Sequence, residues 1–518
     1  MAEVVKKKKI GLVSFTSNLF TFGLRSIESY LRKSGYDIFV IHCATIKDNP
    51  ISLLNNFQLK ILAEKCQDCN VVGISVISVH NLKRVQQVSS FLSKNTKAKI
   101  VLGGVPVMLE PHRFLKFTDF VCLGEGETFL KRFLETDNEL EVPGLGYRSK
   151  DGRVILNELP QLIDLNELPI PRFDFKNTYT LFDRKFTSLE EDPEALHLSC
   201  NFGYRIFTIK GCSFSCTYCA NNKLKDIYKD AGKNVRCIDT ERVMKELEYA
   251  KTIIPGLSRV FFMSDDFTAR SLDEFEKFIA EYQKRISLPF IFYSTFATFT
   301  EDKLKILLKY KANIIWMKLG LQSASERVNK QIYKRHFNRE SFLDKIDLIT
   351  SHNIDLKLDM ILQNPYEKTS DWIENIDFFN QLGERLKQNK LAKRSILLNV
   401  YSLKFYPGTE LYNTALTDET IKDDYVEKTL LTRSRYNYGR IYPYAPTMFS
   451  IDLLLLFFYY KLMAGKGRFV YRYMKNPKIL GLLKKICSLE IMRLSYSFFK
   501  YATQMIPSQK FILKRFPR

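Results

Sequence analysis

Two stretches of this sequence alternate short β-branched runs with amphipathic segments of helical spacing. In the first stretch the β-branched runs, which predict strands, lie at 9–15, 37–42, 71–76, 99–104 and 119–124. In the second stretch strands are predicted at 206–210, 258–263, 289–293, 314–319, 354–361 and 395–401. Such alternation favours parallel sheets with helices on both faces, which bind ligands beyond the carboxyl ends of their strands. The sequence therefore predicts a doubly wound, Rossmann-like α/β domain, followed by an open TIM-type barrel of six strand–helix units, two short of a closed one.

The same pattern divides the chain into four regions. We predict the doubly wound domain at residues 1–140, a linker at 141–203, the partial barrel at 204–430, and a basic, mainly helical region at 431–518. From Arg440 to the end, 15 lysines and arginines stand against two acidic residues, which is over half of the net charge of +22. This charge is either a solvated surface of packed helices or a contact for an anionic membrane, nucleic acid or phosphorylated substrate.

The chain shows no sign of export. Its first residues, MAEVVKKKKIGLV, lack the apolar core and cleavage site of a signal peptide. No apolar run approaches the roughly 18 residues that span a bilayer. We therefore expect a cytoplasmic protein, in contact with a membrane at most through its basic C-terminal region. Its ten cysteines should then be reduced, so clustered cysteines indicate metal ligation rather than disulfides.

Three cysteines lie together in the segment 210–221, KGCSFSCTYCAN. Cys212, Cys216 and Cys219 follow the first predicted barrel strand in the spacing CxxxCxxC. Three thiolates on one loop can hold three irons of a 4Fe–4S cluster and leave the fourth open to a small molecule. Structural zinc would need a fourth ligand nearby, and neither Cys200 nor Cys237 stands at motif spacing. Zinc binding and three unrelated core cysteines remain the alternatives.

The cysteine motif, with an aromatic residue before its last cysteine, resembles the signature of the radical S-adenosylmethionine (radical SAM) superfamily. Further segments are similar to later motifs of that family: FMSDDF (262–267), KLGLQSASE (318–326), LDMILQNPYEKT (358–369) and FYPGTELY (405–412). The resemblance covers about 200–415, and the fold it implies is the partial barrel that the strand count predicts.

The resemblance implies that S-adenosylmethionine binds the open iron and is cleaved to a 5′-deoxyadenosyl radical. It also implies an external one-electron reductant of the flavodoxin or ferredoxin type. The residues it places around S-adenosylmethionine are Tyr218 near the adenine, Ser264, Asp265 and Asp266 near the amino group, and Lys318, Gln322, Ser323 and Arg335 near the ribose and carboxylate.

Residues 9–135 resemble the cobalamin-binding domain that precedes the radical module in one large subfamily. The similar pieces are GISVIS (73–78), VLGGVP (101–106) and CLGEGETFL (122–130), whose glycines also fit ordinary strand-to-helix turns. The implied cobalamin contacts are Ser75, Val76, Gly103, Gly104, Gly124 and Glu125, together with Asn18 and Phe20. Many cobalamin domains carry DxHxxG after the first strand. Aligning that motif on Gly23 puts Asn18 at the Asp position and Phe20 at the cobalt-ligating His position. A phenyl ring cannot ligate cobalt, so His42, His80 and His112 remain as candidates.

The subfamily resemblance, class B methyltransferase-like, implies an enzyme that methylates an unactivated carbon with the adenosyl radical and methylcobalamin. Cyclisation or oxidative rearrangement with the same cofactors is the alternative. A cofactor-binding sensor is disfavoured because the cosubstrate motifs are complete. A thio-transferring RNA enzyme would need three further cluster cysteines in its first domain, and nucleic acid is therefore disfavoured as a partner. The sequence does not identify the substrate, a small molecule or lipid, or any catalytic acid or base.

Overall fold

The computed structural model describes residues 8–16, 19–44, 53–182, 185–200, 203–388, 396–426, 471 and 476–479. These residues form two compact units. The first unit draws on Met1–Ser294, Thr298–Ile314 and Phe405–Arg435, and the second on Thr295–Ala297, Ile315–Lys404 and Tyr436–Arg518. Most of the basic C-terminal region, 431–518, thus lies outside the described residues. Among the helices that are described, none has the length and apolar character needed to cross a membrane.

A nine-stranded sheet dominates the first unit. Its strands are β1 (Lys9–Ser14), β2 (Asp37–His42), β3 (Val71–Ser75), β4 (Lys99–Gly103), β5 (Phe120–Cys122), β6 (Leu145–Arg148), β7 (Val154–Leu156), β8 (Thr178–Phe182) and β9 (Lys185–Ser188). They lie in the order β7-β6-β5-β4-β3-β1-β2-β8-β9. The strands from β1 to β5, together with β8, pair in parallel. All five strands predicted for this domain are present, in the doubly wound arrangement that the sequence predicts.

Six helices connect these strands and one follows them. They are α1 (Phe22–Lys33), α2 (Asn56–Cys66), α3 (Leu82–Asn95), α4 (Val105–Leu109), α5 (Pro111–Phe114), α6 (Gly126–Glu135) and α7 (Pro193–Cys200). Their apolar faces build the core: Phe129 and Phe133 of α6 pack with Leu24 and Leu31 of α1 over the strands. Local chemistry sets the helix ends. Asn55 and Gln58 form a capping box at the start of α2, and Gly35, with φ of +90°, follows α1.

The region predicted as a linker contributes regular structure to this sheet. Residues 141–203 contain the hairpin β6–β7, whose turn includes Gly152 with φ of +85°, and the antiparallel pair β8–β9. The Asp151–Gly152 dipeptide in the sequence favours the hairpin turn, whereas nothing comparable marks the pair β8–β9. Strands of three to five residues at the edges of the sheet carry too few apolar positions to be read from their pattern.

The second half of the chain repeats the strand–helix alternation. Its strands are β10 (Tyr204–Ile206), β11 (Ile209–Lys210), β12 (Arg236–Cys237), β13 (Val260–Phe262), β14 (Phe290–Ser294), β15 (Ile314–Gln322), β16 (Leu356–Leu362) and β17 (Ile396–Ser402). In the first unit β10, β13 and β14 pair in parallel, and β11 pairs with β12 antiparallel. In the second unit β15, β16 and β17 pair in parallel. The six predicted strands are therefore all found, the first of them split into β10 and β11.

Between these strands lie α8 (Ala220–Ile227), α9 (Thr240–Ile253), α10 (Leu272–Arg285), α11 (Glu301–Lys309), α12 (Arg339–Ser351) and α13 (Thr369–Gln388), and α14 (Glu410–Thr417) follows β17. A buried aromatic cluster fixes α10 on its strands. Phe262 of β13 stacks on Phe267 with ring centroids 4.6 Å apart, and both rings pack edge-on against Phe278 of α10. This packing fixes the carboxyl end of β13 and the residues that follow it against α10.

Candidate active site

The three motif cysteines lie on a loop that starts at β11 and ends at α8. Gly211 has φ of +90°, and a Cβ there would lie 2.3 Å from the carbonyl oxygen of Asn234. Only glycine fits this turn without moving the backbone. Behind the turn, the buried hydroxyl of Ser264 accepts hydrogen bonds from the amides of Thr208 and Ile209, each 3.0 Å away. The loop is therefore anchored where it leaves the sheet.

The far side of the loop is anchored as well. The amide of Cys219 donates to the carbonyl of Cys216 at 3.1 Å, immediately before α8 begins. The amide of Leu411 donates to the carbonyl of Thr217 at 2.9 Å. The ammonium of Lys225 donates to Ser213 O at 3.0 Å and to Ser215 Oγ at 2.9 Å. These hydrogen bonds fix the conformation of the sequence between the cysteines.

The donor atoms suit an iron–sulfur cluster. None of the three motif cysteines forms a disulfide; Cys216 is buried, and Cys212 and Cys219 are half-buried. Burial raises the pKa of the Cys212 thiol to about 11 and that of the Cys219 thiol to about 12. Iron binding would replace these protons. Within the described part of the chain, no three His, Cys, Asp or Glu side chains converge closely enough to hold a single metal ion.

A cavity of about 380 Å³, the first cavity, extends from the carboxyl edge of the nine-stranded sheet to the cysteine loop. Of the residues predicted to contact cobalamin, Ser75, Gly103, Gly104, Gly124 and Glu125 line it. Its opposite wall includes Lys210 and Gly211 at the start of the cysteine loop and Asp265 after β13. One space is thus bordered both by the glycine turns of the sheet and by the root of the cysteine loop.

Two glycines at the wall of the first cavity allow the backbone to pack closely against its neighbours. Gly104 has φ of +117°, and a Cβ on it would lie 2.2 Å from the carbonyl oxygen of Val76. A Cβ on Gly126 would lie 2.5 Å from the Ile27 side chain. The wall between them is apolar, with Leu12, Leu24 and Leu130. Backbone that can be approached closely, beside apolar walls, fits a corrin ring and its nucleotide tail.

Glu125 joins the sheet edge to the cysteine loop. Its carboxylate accepts two hydrogen bonds from the Arg236 guanidinium, at 2.6 and 3.1 Å, and forms an ion pair with the ammonium of Lys210. Burial alone would raise the pKa of the Glu125 carboxyl, but Lys210 and Arg236 hold it below its usual range. Lys210 of β11 is paired with Arg236 of β12. The Glu125 carboxylate therefore binds side chains of both strands at the start of the cysteine loop.

The remaining predicted cobalamin contacts lie elsewhere or outside the description. Phe20 is buried between Phe173 and Tyr204, with ring centroids 5.8 and 5.0 Å away, and is not part of the cavity lining. Val76 does not line the cavity itself; its backbone amide donates a hydrogen bond to the carbonyl oxygen of Gly103, which does, at 2.7 Å. Asn18 lies outside the described residues. The candidate histidines His42, His80 and His112 are not among the lining residues, and burial lowers the pKa of His42 to about 4.

The paired aspartates after β13 have different surroundings. Asp265 lines the first cavity. Loss of water around its carboxyl raises the pKa of that group, and a hydrogen bond with Asn221 partly opposes the shift. Asp266 is buried, and its carboxylate accepts hydrogen bonds from the Thr268 hydroxyl at 3.0 Å and the Thr298 hydroxyl at 2.6 Å. Asp265 is therefore the one that can reach a ligand. Asp266 and Ser264 position the backbone around it.

Of the other predicted S-adenosylmethionine contacts, Tyr218 lies on the cysteine loop in the first unit. Lys318, Gln322, Ser323 and Arg335 belong to the second unit. At the end of β15, Gln322 has a positive φ of 63°, and the Arg335 guanidinium donates to Gly320 O at 2.9 Å. A non-glycine residue in this conformation stores strain, as is common at ligand sites. Ser323 is fully buried, and its hydroxyl donates to Asn375 Oδ1 at 3.4 Å.

Lys318 has partners that the sequence analysis missed. Its ammonium lies 3.1 Å from a carboxylate oxygen of Asp359 and 3.2 Å from the Tyr401 hydroxyl, and Asn399 donates to the same carboxylate at 3.0 Å. Burial raises the pKa of the Asp359 carboxyl. The local sequence offers one signal for Asp359 as a functional residue. In β16 charged and apolar residues alternate, and Asp359 follows Lys357 by two positions on the half-buried face.

Comparison with known families agrees with this geometry. Residues 206–379 match the model of the radical SAM superfamily, and residues 8–134 match the model of the B12 binding domain. A curated relative, the ribosomal-protein methylthiotransferase RimO of Clostridioides difficile, is 25% identical over 242 residues. That match covers 44% of this chain and 48% of the relative, so the chain spans about half the length of RimO.

Solved structures share the fold at low identity. TsrM from Kitasatospora setae, a radical SAM methyltransferase with cobalamin and a 4Fe–4S cluster bound, has a TM-score of 0.59 at 14% identity, covering 78% of this chain and 74% of its own. OxsB, a cobalamin-dependent radical enzyme with aqua-cobalamin and S-adenosylmethionine bound, has a TM-score of 0.62 at 15% identity, covering 96% and 76%. These likenesses confirm the predicted fold class. The exact domain boundaries and the individual contact residues stay predictions.

Proposed function

We propose that this chain, in which a B12-binding domain precedes a radical SAM domain, methylates an unactivated carbon of its substrate. The radical SAM domain implies a 4Fe–4S cluster and S-adenosylmethionine, and the B12-binding domain implies cobalamin. The first cavity carries the proposal. It runs from Gly103 and Gly104 at the sheet edge to Gly211 and Asp265 at the cysteine loop, so a methyl donor and a radical generator would share one space.

The bound groups would supply a 5′-deoxyadenosyl radical and a transferable methyl group. The thiols of Cys212, Cys216 and Cys219 would hold three irons. Glu125, through Lys210 and Arg236, keeps the root of their loop against the cobalamin side of the cavity. The apolar side chains of Leu12, Ile27 and Leu130 exclude water from the same space.

The net reaction fixes what must be measured. For each methyl group, two S-adenosylmethionine molecules and two electrons from the external reductant are consumed. One molecule gives methionine and 5′-deoxyadenosine, which takes the substrate hydrogen. The other gives S-adenosylhomocysteine, and its methyl group replaces that hydrogen. No proton is released or taken up overall.

A label experiment tests the proposal. The reconstituted, cobalamin-loaded protein would be incubated anaerobically with a one-electron reductant, a small-molecule and lipid extract of its source cells, and S-adenosylmethionine carrying a trideuterated methyl group. We expect mass spectrometry to find a product in which CD₃ replaces one hydrogen, with 5′-deoxyadenosine and S-adenosylhomocysteine formed in equal amounts. The Cys216→Ser protein is the control and should form none of the three above background.

The opposite result is equally clear. If the extract raises 5′-deoxyadenosine release but no compound gains the label, methylation is wrong. Loss of two hydrogens from a product, without label, would then favour cyclisation or oxidative rearrangement.

A further inference from the structure

A second cavity of about 340 Å³ lies on the other side of α4 and of the cysteine loop. Its lining comes from residues 77–79 after β3, from residues 218–220 at the end of the cysteine loop, and from Tyr406 and Pro407. In and after α4 the lining residues are Val105, Pro106, Leu109 and Glu110. All of these residues belong to the first unit. Tyr218 is predicted near the adenine of S-adenosylmethionine, and Tyr406 and Pro407 belong to the segment FYPGTELY, so the cavity borders the predicted S-adenosylmethionine site. No motif assigns a ligand to the remaining wall, which residues 77–79 and α4 provide.

The walls of the second cavity are mainly apolar, and their charge is neutralised. The charged side chain on the wall is Glu110, whose carboxylate accepts hydrogen bonds from the Arg113 guanidinium at 2.8 and 3.3 Å. The Ser78 hydroxyl accepts a hydrogen bond from the His80 amide at 3.4 Å. Charged groups that could recognise a carboxylate, phosphate or ammonium are therefore lacking among the described lining residues.

Large apolar side chains are left open to solvent at this place. Ile77 is 36% exposed, Val105 38% and Tyr406 36%, and each lines the second cavity. A contiguous apolar surface of this kind marks a site that an apolar partner covers. Its removal from water on binding favours association in proportion to the area buried.

The position of the second cavity indicates which molecule binds in it. Val105 lines both cavities, and Cys219 and Tyr218 belong to the cysteine loop. A substrate carbon that reacts with both cofactors must lie where their two sites meet. The second cavity touches both sites, so it is placed to hold the part of the substrate next to the reacting carbon.

We propose that the second cavity binds an aliphatic hydrocarbon segment of the substrate, which is therefore lipid-like. The identity of the ligand rests on the proposed function, whereas its binding can be measured without turnover. An aliphatic segment also agrees with the reaction, since carbon–hydrogen bonds of this kind have no lone pair and need radical activation.

The test uses the full-length protein with cluster and cobalamin bound, under anaerobic conditions. The apolar fluorophore N-phenyl-1-naphthylamine is bound first and then displaced with 1-alkanols from hexanol to dodecanol. We expect the affinity for the alkanol to rise about fourfold for each added CH₂ until the cavity is filled. The Ile77→Asp and Tyr406→Asp variants should each weaken dodecanol binding at least tenfold. Neither residue lines the first cavity, and each side chain is 36% exposed, so an introduced carboxylate can stay in contact with water.

Leu156→Asp is the matched control, because Leu156 is 42% exposed on β7 and does not line the cavity. It should bind dodecanol like the wild type. Unchanged binding in both cavity variants would overturn the inference. So would binding that disappears when cobalamin is loaded or when S-adenosylmethionine is added, since the cavity would then belong to the site of that cofactor. If alkanols bind as expected but the label experiment finds no methylated product, only the proposed function is refuted, and the apolar site remains supported.

Discussion

The Cys216→Ser variant, reconstituted like the wild type, should hold no intact 4Fe–4S cluster and release no 5′-deoxyadenosine above background. A hydroxyl is a poor ligand for iron where a thiolate is required, and two remaining cysteines on the loop cannot hold three irons. Cys216 is also the buried member of the set, between partly exposed Cys212 and Cys219. Iron and sulfide content, electron paramagnetic resonance of the reduced protein, and chromatography of the nucleoside products measure the three effects.

Cys237→Ser provides the control for this first prediction. Cys237 lies on β12, half-buried and paired with Ile209 of β11, close to the loop but outside the motif. It should keep its cluster and its nucleoside release. Normal release from the Cys216→Ser protein, or equal loss in both variants, would contradict the assignment of the three motif cysteines as the cluster ligands.

Gly104→Ala should lower the affinity for cobalamin more than tenfold and destabilise the first unit. The backbone of Gly104 has φ of +117°, and the new methyl group would stand 2.2 Å from Val76 O. Relieving this contact means moving either strand end, and backbone strain of this kind costs about 1–3 kcal/mol. About 1.4 kcal/mol lost from binding corresponds to a tenfold change in Kd. Titration of aqua-cobalamin by visible absorbance and urea denaturation measure the two effects.

Gly23→Ala is the control for the second prediction. Gly23 also lines the first cavity, but a Cβ on it meets nothing within 4 Å. It lies in the first turn of α1, where alanine is the better helix former. The variant should bind cobalamin within about twofold of the wild type and unfold no more easily, a difference below about 0.5 kcal/mol. If both alanine variants bind cobalamin equally well, the glycine turn at Gly104 does not form the cofactor wall.

The sequence predicts the strands and the cysteine loop well for a physical reason. Apolar periodicity and motif spacing are local, and the central strands β1 to β5 and β13 to β17 are buried enough to display it. The carboxyl-edge rule then places Ser75, Gly103, Gly104, Gly124 and Glu125 around one cavity, as the structure has them.

Contacts between distant parts of the chain could not be predicted in the same way. Glu125 pairs with Lys210 and Arg236, which are 85 and 111 positions away, and nothing in the local pattern marks them as partners. Phe20 was placed near cobalamin by alignment on Gly23, yet it packs into an aromatic cluster with Phe173. Lys318 is held by Asp359, so its availability to a ligand depends on tertiary structure alone.

The central claim is that cobalamin and the cluster share one space, and electron paramagnetic resonance tests it most directly. The full-length protein would be prepared with the cluster reduced and cobalamin in its paramagnetic Co(II) form. The account predicts that each signal is broadened, or relaxes faster, when the other spin is present. At a cobalamin concentration that just saturates the wild type, Gly104→Ala should weaken the effect because less cobalamin is bound. Two fully loaded centres with signals identical to those of each centre alone would contradict it.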